Sequence, residues 1–156
     1  MHKSLICFGL LVTLLGAARA QQPAPPDSGL SLSDQLVQQV LEPLRNGMQT
    51  QNIQLVLSVF DKQELESYSD LAGQLRAFFQ MFDQVDLRYQ LLQATADQKQ
   101  GSATAEMQMD ALPYERSLPA ARRSAQMRLK LKLGPSGWRI ASFTPEDFFN
   151  VEYAQK

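Results

Sequence analysis

In the first half of the chain, apolar residues recur every three or four positions, the spacing of amphipathic helices that bury one face. The pattern predicts three helices. We expect Pro43 to kink or restart the first helix, because proline cannot donate the helical backbone hydrogen bond. The predicted helix starts are Ser31 or Ser33, Asn52, and Ser67 or Ser69. The apolar stripe of the third helix is Leu71, Leu75, Phe78, Phe79 and Phe82.

From Val85 onward the period changes to two residues, which indicates β-strands. Alternating runs cover residues 85–91, 103–111 and 127–133, and Trp138 and Ile140 continue the apolar face. Residues 98–102 are predicted as a turn, 113–121 as a loop and 134–137 as a tight connection. Since helices come first and strands follow, the pattern predicts an α+β fold, with N-terminal helices packed on a curved antiparallel sheet.

The last predicted element is a short helical turn after the strands. Thr144 fits its N-cap, Pro145 its first helical position and Asp147 the acid of a capping box. This turn should fold Phe148 and Phe149 back onto the domain.

Strand alternation also predicts two different sheet faces. The apolar face holds Leu87, Tyr89, Leu91, Ala105, Met107, Met109, Met127, Leu129, Leu131, Trp138 and Ile140. The polar face holds Arg88, Gln90, Glu106, Gln108, Asp110, Arg128, Lys130 and Lys132. We interpret the polar face as solvated surface with cross-strand ion pairs.

The N-terminus has the features of a secretory signal peptide. Lys3 precedes an apolar run, residues 5–15, that is too short to span a bilayer, and Ala18-Arg19-Ala20 fits a cleavage site. The predicted organisation is therefore a signal peptide at 1–20, a flexible proline-rich tether at 21–30 and one domain at 31–151. We expect an exported protein, periplasmic or secreted, with no transmembrane segment in the mature chain.

Cleavage would remove the sole cysteine, Cys7, and the sole histidine, His2. The mature chain would then lack a thiol nucleophile, a Ser-His dyad and the commonest transition-metal ligands, so we expect no metal and no cofactor. Loss of Lys3 and Arg19 would move the net charge from −1 to −3. A protein that binds nucleic acid is usually clearly basic, so we expect no nucleic-acid partner.

Three short segments of the chain are typical of a known superfamily. They are Phe60-Asp61 after the second predicted helix, Phe78-Phe79 in the third, and Gly137-Trp138-Arg139-Ile140 followed by Phe143. The chain resembles the nuclear transport factor 2-like superfamily, which includes SnoaL-like proteins and has a cystatin-like, cone-shaped α+β fold. The resemblance covers about residues 31–149 and implies a pocket inside the cone. It does not fix the function, because this superfamily includes isomerases, dehydratases, cyclases and transport adaptors.

The resemblance suggests two kinds of site, and the arginines around the predicted loop at 113–121 suggest a third. Enzymes of this fold place a carboxylate, a tyrosine or a histidine in the cone, for which the candidates are Tyr89 and Tyr68, with Asp61 or Asp86 near the mouth. The candidate pocket for a small apolar ligand is lined by Phe78, Phe82, Tyr89, Met107, Met109, Leu129 and Trp138. The candidate anion site is Arg116, Arg122 and Arg123.

No acid falls clearly on the inner face, which argues against catalysis. The sequence therefore favours an exported, non-catalytic domain that binds a small apolar ligand or a protein partner. The alternatives are a cofactor-free isomerase or hydratase that uses Tyr89 and an Asp, and a structural subunit of an envelope assembly. The mixed charge of the polar face also allows a weak, salt-sensitive homodimer.

Overall fold

The computed structural model describes residues 29–151. The predicted signal peptide and residues 21–28 of the predicted tether lie outside the described residues. Among residues 29–151, no helix is long and apolar enough to cross a membrane.

The helices form where the apolar spacing predicts them. Ser31 caps the helix at Leu32–Leu36 by accepting a hydrogen bond from the backbone N–H of Asp34 at 3.2 Å. Asn52 caps the helix at Ile53–Ser58 by accepting one from the backbone N–H of Leu55 at 3.1 Å. Pro43 lies in the first turn of the helix at Glu42–Gln49, directly after a π-helical segment, and the backbone stays helical from one to the other, so the helix changes type beside Pro43. The helical elements are α1 (Leu32–Leu36), the π-helical segment (Val37–Leu41), α2 (Glu42–Gln49), α3 (Ile53–Ser58) and α4 (Tyr68–Met81).

Four strands then form one curved antiparallel sheet in the order β1-β2-β3-β4, so the predicted α+β class is confirmed. Each strand pairs with the next one along the chain. The free side of β4 is partly covered, because Phe60 forms a parallel bridge with Ile140. The strands are β1 (Phe82–Asp97), β2 (Gln100–Pro113), β3 (Ala121–Gly134) and β4 (Gly137–Thr144).

Three predicted boundaries were wrong. Helix α4 ends at Met81, and Phe82 already belongs to β1, because its backbone is extended. The turn between β1 and β2 takes only residues 98 and 99, since Gln98 adopts a positive φ of 52° and reverses the chain tightly. Thr144 caps nothing, because Pro145 is extended with ψ 141° and the 3₁₀ helix begins after it, at Glu146–Phe149.

The core lies between the helices and one face of the sheet. Phe148 and Phe149 are almost fully buried, as the sequence predicts, and their rings meet edge to face at 5.1 Å. Phe149 also contacts Phe143, which in turn contacts Phe60. The last turn therefore completes the core with the loop after α3 and with β4.

Candidate functional site

The sheet turns one face away from the helices. We call it the open face. Its outward positions include most of the predicted polar set, with Arg88, Gln90, Glu106, Gln108, Arg128 and Lys130 exposed and Asp110 and Lys132 part-exposed. The inward positions of the same strands are buried or part-buried, so the alternation predicts the two faces correctly.

A chain of four alternating charges crosses β1, β2 and β3 on the open face. Arg88 contacts Asp86 at 3.2 Å through Nε and also donates to Asp110. Arg122 donates through Nε to the other oxygen of Asp110 at 2.6 Å. The hydrogen bond from Arg122 lowers the pKa of Asp110 and raises that of Arg122, so both groups stay charged at neutral pH.

Two adjoining cavities lie beside this charge chain. One, of about 320 Å³, is lined by Arg88, Gln108, Asp110, Arg122, Arg123 and Ser124. The other, of about 180 Å³, is lined by Arg88, Tyr89, Gln90, Glu106 and Gln108. Because Arg88 and Gln108 border both, the cavities form one polar groove across the strands.

The crevice found inside the cone offers much less space than this groove. A crevice between the first helical segments and the sheet is too narrow to admit a water molecule. It is lined by Leu36, Val40, Leu41, Leu91, Ala103, Leu129 and Leu131. Of the residues predicted to line a ligand pocket, only Leu129 borders this crevice. Phe78, Phe82, Met107, Met109 and Trp138 are packed in the core, each at most 3 % exposed.

The predicted catalytic residues do not converge. Asp61 accepts hydrogen bonds from the backbone N–H groups of Gln63 and Glu64, at 2.9 and 3.2 Å, and so shapes its own loop. Asp86 belongs to the charge chain of the open face and also accepts from Gln49 at 2.9 Å. Tyr68 begins α4 and packs against the core. Neither aspartate is a hydrogen-bond partner of Tyr89.

The carboxylate beside Tyr89 is Glu42, which the sequence did not reveal. Tyr89 on β1 donates its hydroxyl to Oε1 of Glu42 on α2, and Arg45 contacts Oε2 at 2.6 Å. Partial burial, together with the hydrogen bond to Glu42, raises the pKa of Tyr89 to about 12. The two residues are 47 positions apart, and only the packing of α2 on β1 brings them together.

The three arginines predicted as an anion site do not form one cluster. Arg116 pairs with Asp83 at 2.9 Å, and Arg122 pairs with Asp110. Arg123 points into the core, is only 3 % exposed and donates to the backbone carbonyls of Phe148 and Asn150. β3 turns Arg122 and Arg123 to opposite faces, so the structure does not bring the three arginines together.

The inward orientation of Arg123 could have been predicted from the two-residue alternation of β3. It shares the odd-numbered, inward positions of β3 with Met127, Leu129 and Leu131. Its guanidinium carbon lies 5.4 Å from the centre of the Phe78 ring, within the range of a cation–π contact. Arg123 therefore holds the last turn against β3 and α4.

Within the part of the chain that the structure describes, no group of three or more histidine, cysteine, aspartate or glutamate side chains could hold a metal ion.

No protein-family profile and no curated protein matches this sequence. A conserved protein from Planctomyces limnophilus superposes with a TM-score of 0.63 and 8 % identity, over 71 % of this chain and 93 % of that one. A nuclear transport factor 2-like superfamily protein from Salmonella enterica gives 0.57 and 12 % identity, over 71 % and 89 %.

A third similar structure is that of a type 2 hexachlorocyclohexane dehydrochlorinase, with a TM-score of 0.56 and 10 % identity, over 71 % of this chain and 82 % of that one. Proteins with this architecture thus include an enzyme, and another, from Nostoc punctiforme, is described as a cystatin-like fold of unknown function. These superpositions, together with the helices packed on a four-stranded antiparallel sheet, show that the chain has the cone-shaped α+β fold of the nuclear transport factor 2-like superfamily.

Proposed function

We propose that this chain is an exported, non-catalytic binding domain that holds a protein partner on the open face of its sheet. The observation that carries the proposal is the polar groove around Arg88 and Gln108. It has room for side chains of a partner and offers guanidinium, amide, carboxylate and hydroxyl groups for hydrogen bonding.

An apolar ligand inside the cone is less favoured by the packing. The side chains that would line such a pocket fill the interior instead, and the crevice beside Leu129 does not admit water. A ligand pocket normally needs about 300–1,000 Å³ of space. Entry of a small molecule there would require the helices to move away from the sheet.

Acid–base catalysis is also less favoured. The only carboxylate hydrogen-bonded to Tyr89 among the described residues is that of Glu42, and both of its oxygens are engaged, one by Tyr89 and one by Arg45. A general base needs a free oxygen aimed at a substrate proton. The Tyr89–Glu42–Arg45 arrangement instead ties α2 to β1.

Site-specific photocrosslinking tests the proposed face. A photoreactive amino acid would replace Gln108 on the open face, and in the control it would replace Gln80, which is exposed on α4. We expect a discrete crosslinked protein from envelope fractions with the Gln108 variant only. Equal products from both positions, or none from position 108, would contradict the proposal.

Two further measurements test its remaining parts. N-terminal sequencing of the exported protein should begin at Gln21, whereas a cytoplasmic product that retains Met1 would refute export. Native mass spectrometry of the purified protein should show the mass of the polypeptide alone. A copurified apolar molecule would instead favour a ligand inside the cone.

A further inference from the structure

The open face has two halves that differ in how their charges are balanced. Around Arg88 and Arg122, each guanidinium contacts Asp110. Farther along β3, three consecutive outward positions carry positive charge. We call Arg128, Lys130 and Lys132 the cationic row.

The cationic row is only partly neutralised. Lys132 pairs with Glu64, but neither Arg128 nor Lys130 forms an ion pair with a carboxylate of residues 29–151. Adjacent like charges on one strand repel one another, and acidic neighbours on the flanking strands would offset that repulsion. No acidic residue occupies the paired positions of Arg128 and Lys130.

The neighbours across the strands are hydroxyl residues instead. Arg128 lies between Thr104 on β2 and Thr144 on β4. Lys130 lies in the same way between Ser102 on β2 and Ser142 on β4. Hydroxyl groups can donate hydrogen bonds to the oxygens of an anion that sits above the cations. The Ser102 hydroxyl shares a hydrogen bond with that of Thr95 at 2.9 Å. The surface thus provides positive charge and, at Thr104, Ser142 and Thr144, hydroxyl donors for an anionic partner.

The spacing of the row indicates the shape of that partner. Alternate residues of a strand lie about 7 Å apart on the same face. A partner segment in extended conformation repeats its side chains at the same distance, so its alternate carboxylates can match successive cations of β3.

Acidic side chains limit where such a segment can lie. Glu64, Glu66 and Glu146 border a cavity of about 310 Å³ that also includes Ser142, beside β4. Glu64 is paired with Lys132, but Glu66 and Glu146 would repel an acidic segment from the β4 side. The favourable path therefore runs over β3 and the hydroxyl positions of β2.

We propose that Arg128 and Lys130 bind an extended acidic segment of the protein partner, with carboxylates at alternate positions. The inference rests on the proposed function and names the chemistry of the partner. It predicts affinity that falls with ionic strength, because exposed charge pairs are screened by salt.

Binding of a synthetic dodecapeptide of alternating Glu and Ser tests the inference, measured by fluorescence anisotropy with the mature chain. The test variant is Arg128→Glu/Lys130→Glu. The matched control is Lys62→Glu/Arg76→Glu, which changes two exposed cations outside the sheet, one in the loop after α3 and one on α4, by the same charge. We expect affinity to fall at least about tenfold in the test variant and less than about twofold in the control.

The other outcomes overturn the inference. Equal losses in both variants would mean that only net charge matters. Binding to phosphatidylglycerol vesicles or to polyphosphate without binding to the peptide would assign the row to a phosphate-bearing surface. A change in self-association alone, seen by sedimentation, would assign it to a second copy of the chain. The crosslinker at position 108 can also identify a partner whose affinity for the test variant is then measured. If the test variant binds that partner with full affinity, this inference fails while the proposed function stands.

Discussion

Replacement of Phe78 by alanine tests the packing between α4 and the sheet. The Phe78 ring is fully buried, lies 4.6 Å from the Phe82 ring and 6.1 Å from the Phe79 ring, and receives the Arg123 guanidinium on its face. Truncation of a buried phenylalanine to alanine costs about 3–5 kcal/mol, because transfer free energy is lost and a cavity remains. We expect a loss at the upper end of this range, since the contact with Arg123 disappears as well.

A loss of this size is a large share of a total stability of about 5–15 kcal/mol, so a milder variant is needed beside it. Phe78→Leu keeps most of the volume and should cost about 1.5 kcal/mol or less from packing alone. Combining it with Arg123→Met in a double-mutant cycle isolates the ring–guanidinium contact, for which we expect a coupling of about 0.5–2 kcal/mol.

Urea titrations followed by far-ultraviolet circular dichroism give the free energies of unfolding. Gln80→Ala, an exposed change on the same helix, is the control and should stay within about 0.5 kcal/mol of the unmodified chain. A loss below about 1 kcal/mol for Phe78→Ala would refute the packing described here. A coupling near zero would refute only the role of Arg123 above the ring.

Three further predictions concern ionisation and one turn. Absorbance titration of the four tyrosines should show one with a pKa near 12, and this titration should be missing in Tyr89→Phe. The hydrogen bond between Tyr89 and Glu42 contributes its full stability below pH 10, and this contribution is lost as pH rises through 12. Asp110 has a lowered pKa, so its contribution is complete above its ordinary value of 3.8 and disappears as pH falls below it; Asp110→Asn should flatten this acid limb in urea titrations. Gly137 has φ +97°, a backbone conformation that residues with a Cβ rarely adopt, so Gly137→Ala should lower the thermal midpoint, whereas an unchanged midpoint would contradict the strained turn.

The sequence predicts most of the fold because its alternation is local and regular. In β3, Met127, Leu129 and Leu131 point inward and Arg128 and Lys130 outward, as the two-residue period requires. The wrong boundaries lie where one residue decides between two conformations. Phe82 fits both the helical stripe of α4 and the first inward position of β1, and spacing alone does not separate them.

The candidate site was less predictable, because it depends on contacts between distant segments. Nothing near Glu42 in the sequence indicates that it meets Tyr89. The pairing of Arg122 with Asp110 depends on the register of β2 and β3, which alternation alone does not define. The interior pocket was inferred from resemblance, yet the volume of the cone depends on how α1, α2 and the last turn pack.

The position of the last turn in the core has a consequence for how the protein is made. Phe149 packs against Phe143 and Phe148, and Phe60 forms a bridge with Ile140 of β4, 80 positions away. The core therefore cannot close until the ribosome has released nearly the whole domain. Contacts that span so much sequence form slowly, since a long loop must close before they contribute. If the chain is exported as proposed above and crosses the membrane as an extended polypeptide, late closure keeps it able to pass through a narrow channel. The same residues that stabilise the finished domain would therefore delay its folding until translocation is possible.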